Sequence, residues 1–200
     1  MSDLPNQALV WKRFREGDQP AFSVLYRHHY ASLYFYALKS TGSTYQAQEC
    51  VQDLFVNLWN RREGLSEVQQ VKPYLFKALR SLLHRRSMST YEDLNSEEGN
   101  YALQFSPEDF LIQRESSAYR QETLATVLNG LPPRQREAVY LKYYEDLTYQ
   151  EIADVLSINY QSVVNLIYRA LKQLKQQPTL RKLITQYHWV PLLLGSWAGW

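Results

Sequence analysis

The residues best placed to do chemistry lie near the C-terminal end of the chain, and their chemistry is recognition rather than catalysis. Gln161, Ser162, Asn165, Arg169 and Lys172 recur at helical spacing within NYQSVVNLIYRALKQLK. Side-chain amides such as Gln161 and Asn165 can pair with adenine edges in a major groove. Arg169 and Lys172 lie further along the same face, where they suit phosphates. A second set, Lys77, Arg80, Ser81 and His84, falls at i, i+3, i+4 and i+7 with Arg85 adjacent. A basic stripe on one helix face can line phosphates by displacing condensed counterions. Tyr74 and Phe76 interleave with it, and aromatics beside such cations can stack on unpaired bases or serve as core. A third set, Glu49, Gln52, Asp53 and Asn57, forms an acidic-polar stripe beside a strong apolar one.

These residues need helices to bring them onto shared faces. In the C-terminal stretch, Pro132 and Pro133 suit a helix start, where a missing N–H costs nothing. That helix is expected to end near Glu145–Asp146. Thr148 and Glu151 have capping-box spacing ahead of IADVL. Ser157, Ile158 and Asn159 form a short break, and Asn159 can cap the next helix. Val163, Ile167, Ala170 and Leu174 line the apolar side of that helix, opposite the polar set. Two short helices, a three- or four-residue turn and the small Ala153 where they cross describe a helix-turn-helix. A plain helical hairpin does not account for the polar outer face. Such units commonly carry Gly at the place of Ser157, where positive φ is easiest.

Three amphipathic helices are legible in the N-terminal half. Phe22, Leu25, Tyr26, Leu33 and Tyr36 mark the first, and Ala47, Val51, Leu54, Phe55 and Leu58 the second. The third carries Val71, Leu75, Leu79 and Leu82. The expected fold is therefore all-α. Two small helical domains, an N-terminal helical bundle and a C-terminal helix-turn-helix domain, are joined by an acidic linker.

The linker is visible in the charge. The chain of 200 residues has a formal net charge of only +2, which hides its sorting. Residues 61–86 carry a net of +5 and residues 131–182 a net of +3. Between them, 87–112 holds six acids (Glu92, Asp93, Glu97, Glu98, Glu108, Asp109) and no Lys or Arg. That stretch is rich in Ser, Asn and Gly and lacks a helical period. Boundaries follow at 1–88, 89–115 and 116–178, with an apolar tail at 179–200 that holds three of the five tryptophans.

Composition removes other classes. Apolar residues at 45% exclude wholesale disorder. One cysteine, Cys50, excludes an intramolecular disulfide and a thiolate zinc cluster. There is no phosphate-binding Gly-rich loop, no Gly-x-Ser-x-Gly and no His-Glu-x-x-His. His28 and His29 are adjacent and cannot share a helix face. Neither an enzyme nor a cofactor or metal is expected, and no small-molecule substrate. The N-terminal residues show no signal peptide, so a cytoplasmic location is expected. The tail is too short and broken to span a bilayer. It can pack on the protein, bind a partner or fray.

Taken together, the pattern resembles bacterial RNA polymerase sigma factors of the compact extracytoplasmic-function type, over about residues 8–176. AQECVQDLFVNLW is similar to the family's polymerase-binding helix, with Glu49, Val51, Gln52, Asp53, Phe55, Leu58 and Trp59 keeping its character. Gln48 replaces a usual acid and Cys50 a usual aliphatic. KPYLFKALRSLLHRR is similar to the following segment, which melts and reads the minus-ten element; the family often has Asn at Ser81 and Asp at Arg85. The stretch 131–175 is similar to the minus-thirty-five-binding domain. The resemblance implies a dissociable initiation subunit. Glu49, Gln52, Asp53 and Asn57 would hold the polymerase clamp. Lys77, Arg80, Ser81, His84 and Arg85 would engage minus-ten DNA. Tyr160, Gln161, Ser162, Asn165, Arg169 and Lys172 would engage minus-thirty-five. The implied partners are core RNA polymerase (clamp and flap regions), promoter DNA and an anti-sigma factor. A stand-alone helix-turn-helix regulator shares the C-terminal features, but leaves the Glu49 stripe, the basic third helix and the linker without a role.

Overall fold

Helix boundaries are set by small polar caps and left-handed turns. The computed structural model describes residues 7–90, 103–110 and 118–180, with side chains of 88–90 left aside. The expectations for Met1–Asn6, for most of the acidic linker including Glu92, Asp93, Glu97 and Glu98, and for tail residues 181–200 fall outside the described residues. Eight α-helices run through the described parts, in agreement with an all-α class. They are α1 (Gln7–Arg15), α2 (Gln19–Thr41), α3 (Thr44–Arg61), α4 (Val71–Thr90), α5 (Ala118–Asn129), α6 (Pro133–Tyr143), α7 (Tyr149–Leu156) and α8 (Tyr160–Gln176). The chain divides into two units, one of Met1–Tyr101 with Gln150–Ile158, the other of Ala102–Tyr149 with Asn159–Trp200.

In the first unit, Asp18 caps α2 by accepting the Ala21 N–H at 3.1 Å. That bond is the main reason its carboxyl is held below its usual pKa, with the Arg13 ion pair adding to it. Gly42 then ends α2 at φ 67°, a left-handed conformation that costs glycine little, and donates to the Leu38 carbonyl. Ser43 immediately caps α3. This Gly-Ser corner turns the chain between two long helices whose apolar sides face each other. Helix α2 packs against α1, α3 and α4. The buried set Trp11, Phe14, Leu33, Tyr36, Val51, Leu75, Phe76 and Leu79 fills the space between them. The Trp11 ring lies 5.2 Å from Phe14 and 5.1 Å from Tyr74, and its indole N–H donates to the Ser66 carbonyl at 3.0 Å. Phe76 is fully buried and so belongs to the core rather than to a base-stacking surface. Leu83 is buried while Leu82 stays half-buried, so the α4 stripe closes one residue later than the sequence spacing suggests.

The second unit contains an element that periodicity does not reveal. Residues 103–110, within the stretch expected as linker, carry a short 3-10 turn (Pro107–Phe110) packed on α5. Leu103 and Phe105 are buried. The Asn129 side chain brackets Phe105, accepting its N–H at 2.9 Å and donating to its carbonyl at 2.8 Å. Arg136, itself buried, donates to the carbonyls of Leu103 (2.7 Å), Leu131 (2.9 Å) and Asn129. Beside them, Val127, Leu131, Val139, Ala170, Leu174 and Leu180 form an apolar cluster that joins α5, α6 and α8.

Helix α6 begins at Pro133 as expected but stops at Tyr143, two residues early. The reason is Glu145, which folds back to accept the Tyr140 hydroxyl at 3.0 Å in a buried site, while Asp146 takes φ 53°. Helix α7 follows Thr148. Ser157 adopts φ 55°, and the Ile158 N–H reaches back to the Ala153 carbonyl in a Schellman-type closure. Asn159 caps α8, its side-chain oxygen accepting the Ser162 N–H at 2.7 Å.

Candidate interaction faces

On α3, the buried stripe of Ala47, Cys50, Val51, Leu54, Phe55 and Leu58 turns Glu49, Gln52, Asp53 and Asn57 outward. Gln52 and Asn57 are exposed, and Glu49 and Asp53 are partly so. The two carboxylates are not isolated. Arg86, from α4, places Nη1 3.4 Å from Glu49 Oε2 and pairs its Nη2 with Asp53 Oδ2. The Tyr45 hydroxyl donates to the other Glu49 oxygen at 2.7 Å. That bond, and the carboxylate charge behind it, raises the Tyr45 phenol above its usual pKa. Cys50 is buried, and burial raises its thiol pKa, so it offers no reactive thiolate.

On α4, the burial of Val71, Leu75, Phe76, Leu79 and Leu83 leaves Lys77, Ser81, His84 and Arg85 exposed, with Arg80 half-exposed. The five share one helix surface. The Ser81 hydroxyl already donates to the Lys77 carbonyl at 2.9 Å, so what it offers an incoming ligand is chiefly an acceptor.

His29 sits apart from both faces. It is buried on α2, with its pKa lowered to about 4 by burial, then by His28 and Lys72. It is neutral near pH 7 and belongs to the core. Among the described residues, no three His, Cys, Asp or Glu side chains gather in a group able to hold a metal ion.

On α8, the buried side is Val163, Ile167, Ala170 and Leu174. Tyr160, Gln161, Asn165, Arg169 and Lys172 are exposed and Ser162 partly exposed. The Gln161 amide reaches the Asn165 carbonyl oxygen at 3.5 Å. Tyr168, 64% exposed, falls between Asn165 and Lys172 on the same surface. It was legible as the residue seven after Gln161, yet its aromatic type suggests core. In the sequence, Arg86 stands out only as one of the cations that give residues 61–86 their net positive charge. Its engagement of two acids on another helix has no signature in local sequence.

Residues 25–91 match the family model for sigma-70 region 2, and residues 121–174 match that for sigma-70 region 4. The chain belongs to the RNA polymerase sigma factors of the extracytoplasmic-function type.

Among its relatives is the sigma factor SigE of Mycolicibacterium smegmatis, 28% identical over 186 residues, spanning 87% of this chain and 68% of SigE. The sigma factor YlaC of Bacillus subtilis is 24% identical over 160 residues, spanning 78% of this chain and 90% of YlaC. In fold, the chain is similar to CnrH in complex with the cytosolic domain of CnrY, with a TM-score of 0.61 and 20% identity over 84% of this chain and 94% of the other. It is also similar to the sigma factor RpoE in complex with the anti-sigma factor NepR from Bartonella quintana (TM-score 0.57, 19% identity, 78% and 94% coverage). Region 2 of this sigma factor thus spans most of α2 with α3 and α4, and region 4 most of α5 with α6, α7 and α8. A sigma factor is an initiation subunit without a catalytic centre of its own. Among the described residues, no helix is long and apolar enough to cross a membrane.

Proposed function

We propose that this sigma factor directs core RNA polymerase to promoters through three separate faces. The α3 face, Glu49, Gln52, Asp53 and Asn57, docks on the polymerase clamp. The α4 face, Lys77, Arg80, Ser81, His84 and Arg85, takes the minus-ten strand. The α8 face, Tyr160, Gln161, Ser162, Asn165, Arg169 and Lys172, lies in the minus-thirty-five groove while its domain meets the polymerase flap. The domains are 1–88 and 116–178. The acids Glu92, Asp93, Glu97 and Glu98, which precede the packed residues 103–110, occupy a basic nucleic-acid channel until the more highly charged transcript displaces them. The protein acts in the cytoplasm and is held in check by an anti-sigma factor, as the complexes of its structural neighbours suggest by analogy.

The observation that carries this reading is the pairing, within the region 2 match, of an outward acidic-polar face on α3 with an outward basic face on α4. One suits a protein partner, the other a phosphate backbone. The test is run-off transcription and equilibrium binding with purified core polymerase and the full chain. Asp53→Lys places like charge against the clamp and is expected to weaken core binding by about tenfold or more with helicity unchanged. Unaltered affinity would remove the α3 assignment. Specific promoter binding by the chain alone, equal to that with core present, would instead favour a stand-alone regulator.

A further inference from the structure

We propose that Arg86 is an internal counter-ion for the polymerase-docking carboxylates, which core polymerase must displace in order to bind. The inference rests on the α3 face being the docking face, and it adds a residue that limits the strength of that docking.

Glu49 and Asp53 stand one helical turn apart on α3, and Arg86 reaches both from α4. Its planar fork presents donors to each carboxylate at once, which a point charge does not do. With Tyr45 on the second Glu49 oxygen, much of the acceptor capacity of that carboxylate is already taken. Two acids and one cation present a net −1 to an approaching basic surface, where the acids alone would present −2. A basic surface on the partner therefore meets a weaker field at long range and a competitor at short range.

The exposures make exchange feasible. The side chains of Glu49, Asp53 and Arg86 are 42%, 46% and 36% exposed. An incoming cation can approach the carboxylates from solvent, and a departing guanidinium can rehydrate without opening the core. Partly exposed pairs are weak, so this competition sets a modest limit on affinity rather than a block.

The experiment measures equilibrium binding of full-length variants to purified core polymerase at low and high salt, with thermal unfolding of each variant alongside. Arg86→Gln is expected to bind core about two- to fivefold tighter at low salt, the gain shrinking as salt screens the face. Arg86→Lys, able to serve only one acid, is expected to give a smaller gain. In a Glu49→Gln/Asp53→Asn background, Arg86→Gln is expected to change nothing. Equal or weaker core binding by a normally folded Arg86→Gln overturns the proposal. If that variant unfolds, Arg86→Lys decides, and binding equal to or weaker than wild type overturns it. Asp53→Lys separates the two claims. Unchanged core binding there defeats the docking assignment itself, whereas weakened binding without a gain from Arg86→Gln defeats only the counter-ion.

Discussion

The two units are held together by different physics. In the first, large rings fill the space between helices: Trp11, Phe14, Tyr36 and Phe76 are all but fully buried. In the second, a cluster of smaller apolar side chains joins α5, α6 and α8, and buried polar groups tie residues 103–110 and the ends of α6 to it. Arg136 gathers three backbone carbonyls, Asn129 brackets Phe105, and Glu145 receives Tyr140. Burying a guanidinium lowers the Arg136 pKa through loss of water, and its hydrogen bonds offset that cost. An apolar core tolerates approximate fit, while a polar junction depends on each partner being present. The first unit therefore has a diffuse source of stability, and the second adds a concentrated one to its apolar cluster.

The largest expected break in this contrast is Trp11→Ala. It empties a ring-sized space in the first unit and is expected to destabilise it by about 3–5 kcal/mol, read as lost amide protection in α1–α4 with α8 protection kept. Arg136→Met comes next. It keeps the stem, removes the donors and strands three carbonyls, for an expected loss of about 2–4 kcal/mol felt in the second unit. Should it prove neutral, the polar account of that unit fails.

A sharper test lies within the first unit, at its buried histidine. His29 has a folded pKa of about 4 against 6.5 when unfolded. The unfolded chain thus binds the extra proton between those values, so stability contributed by neutral His29 is full above pH 6.5 and is lost as pH falls toward 4. Chemical denaturation is expected to show a difference of roughly 2 kcal/mol between pH 7 and pH 5 that a His29→Phe variant lacks. The smallest effect belongs to a polar contact at the surface. Asn159→Ala removes the α8 cap and is expected to cost about 1 kcal/mol, with promoter binding weakened as the first turn of α8 frays.

This contrast also explains what sequence reading recovers. Helices α2, α3, α4 and α8 repeat apolar residues at helical spacing, α6 and α7 are marked by local boundary chemistry at Pro133 and at Thr148 with Glu151, and the turn at Ser157 and cap at Asn159 are local chemistry too. Helix α1 escapes because only Val10, Trp11 and Phe14 follow Leu9 in a run of cations. The packed role of residues 103–110 escapes for a different reason. LQFSPEDF has no period, and what holds it is donated by Asn129 and Arg136, more than twenty residues away. The candidate interaction faces divide in the same way. Gln161, Asn165 and Lys172 were legible from spacing along one helix. The Arg86 clasp on Glu49 and Asp53 joins two helices, and local pattern does not encode it.

One consequence follows from the lone thiol. Cys50 lies on α3 beneath the Arg86 clasp, sealed from solvent and kept protonated. A maleimide or iodoacetamide reagent can reach it only when the packing around α3 opens. Its labelling rate is thus a native clock for the opening of α3 from its neighbours, readable without adding any probe to the chain.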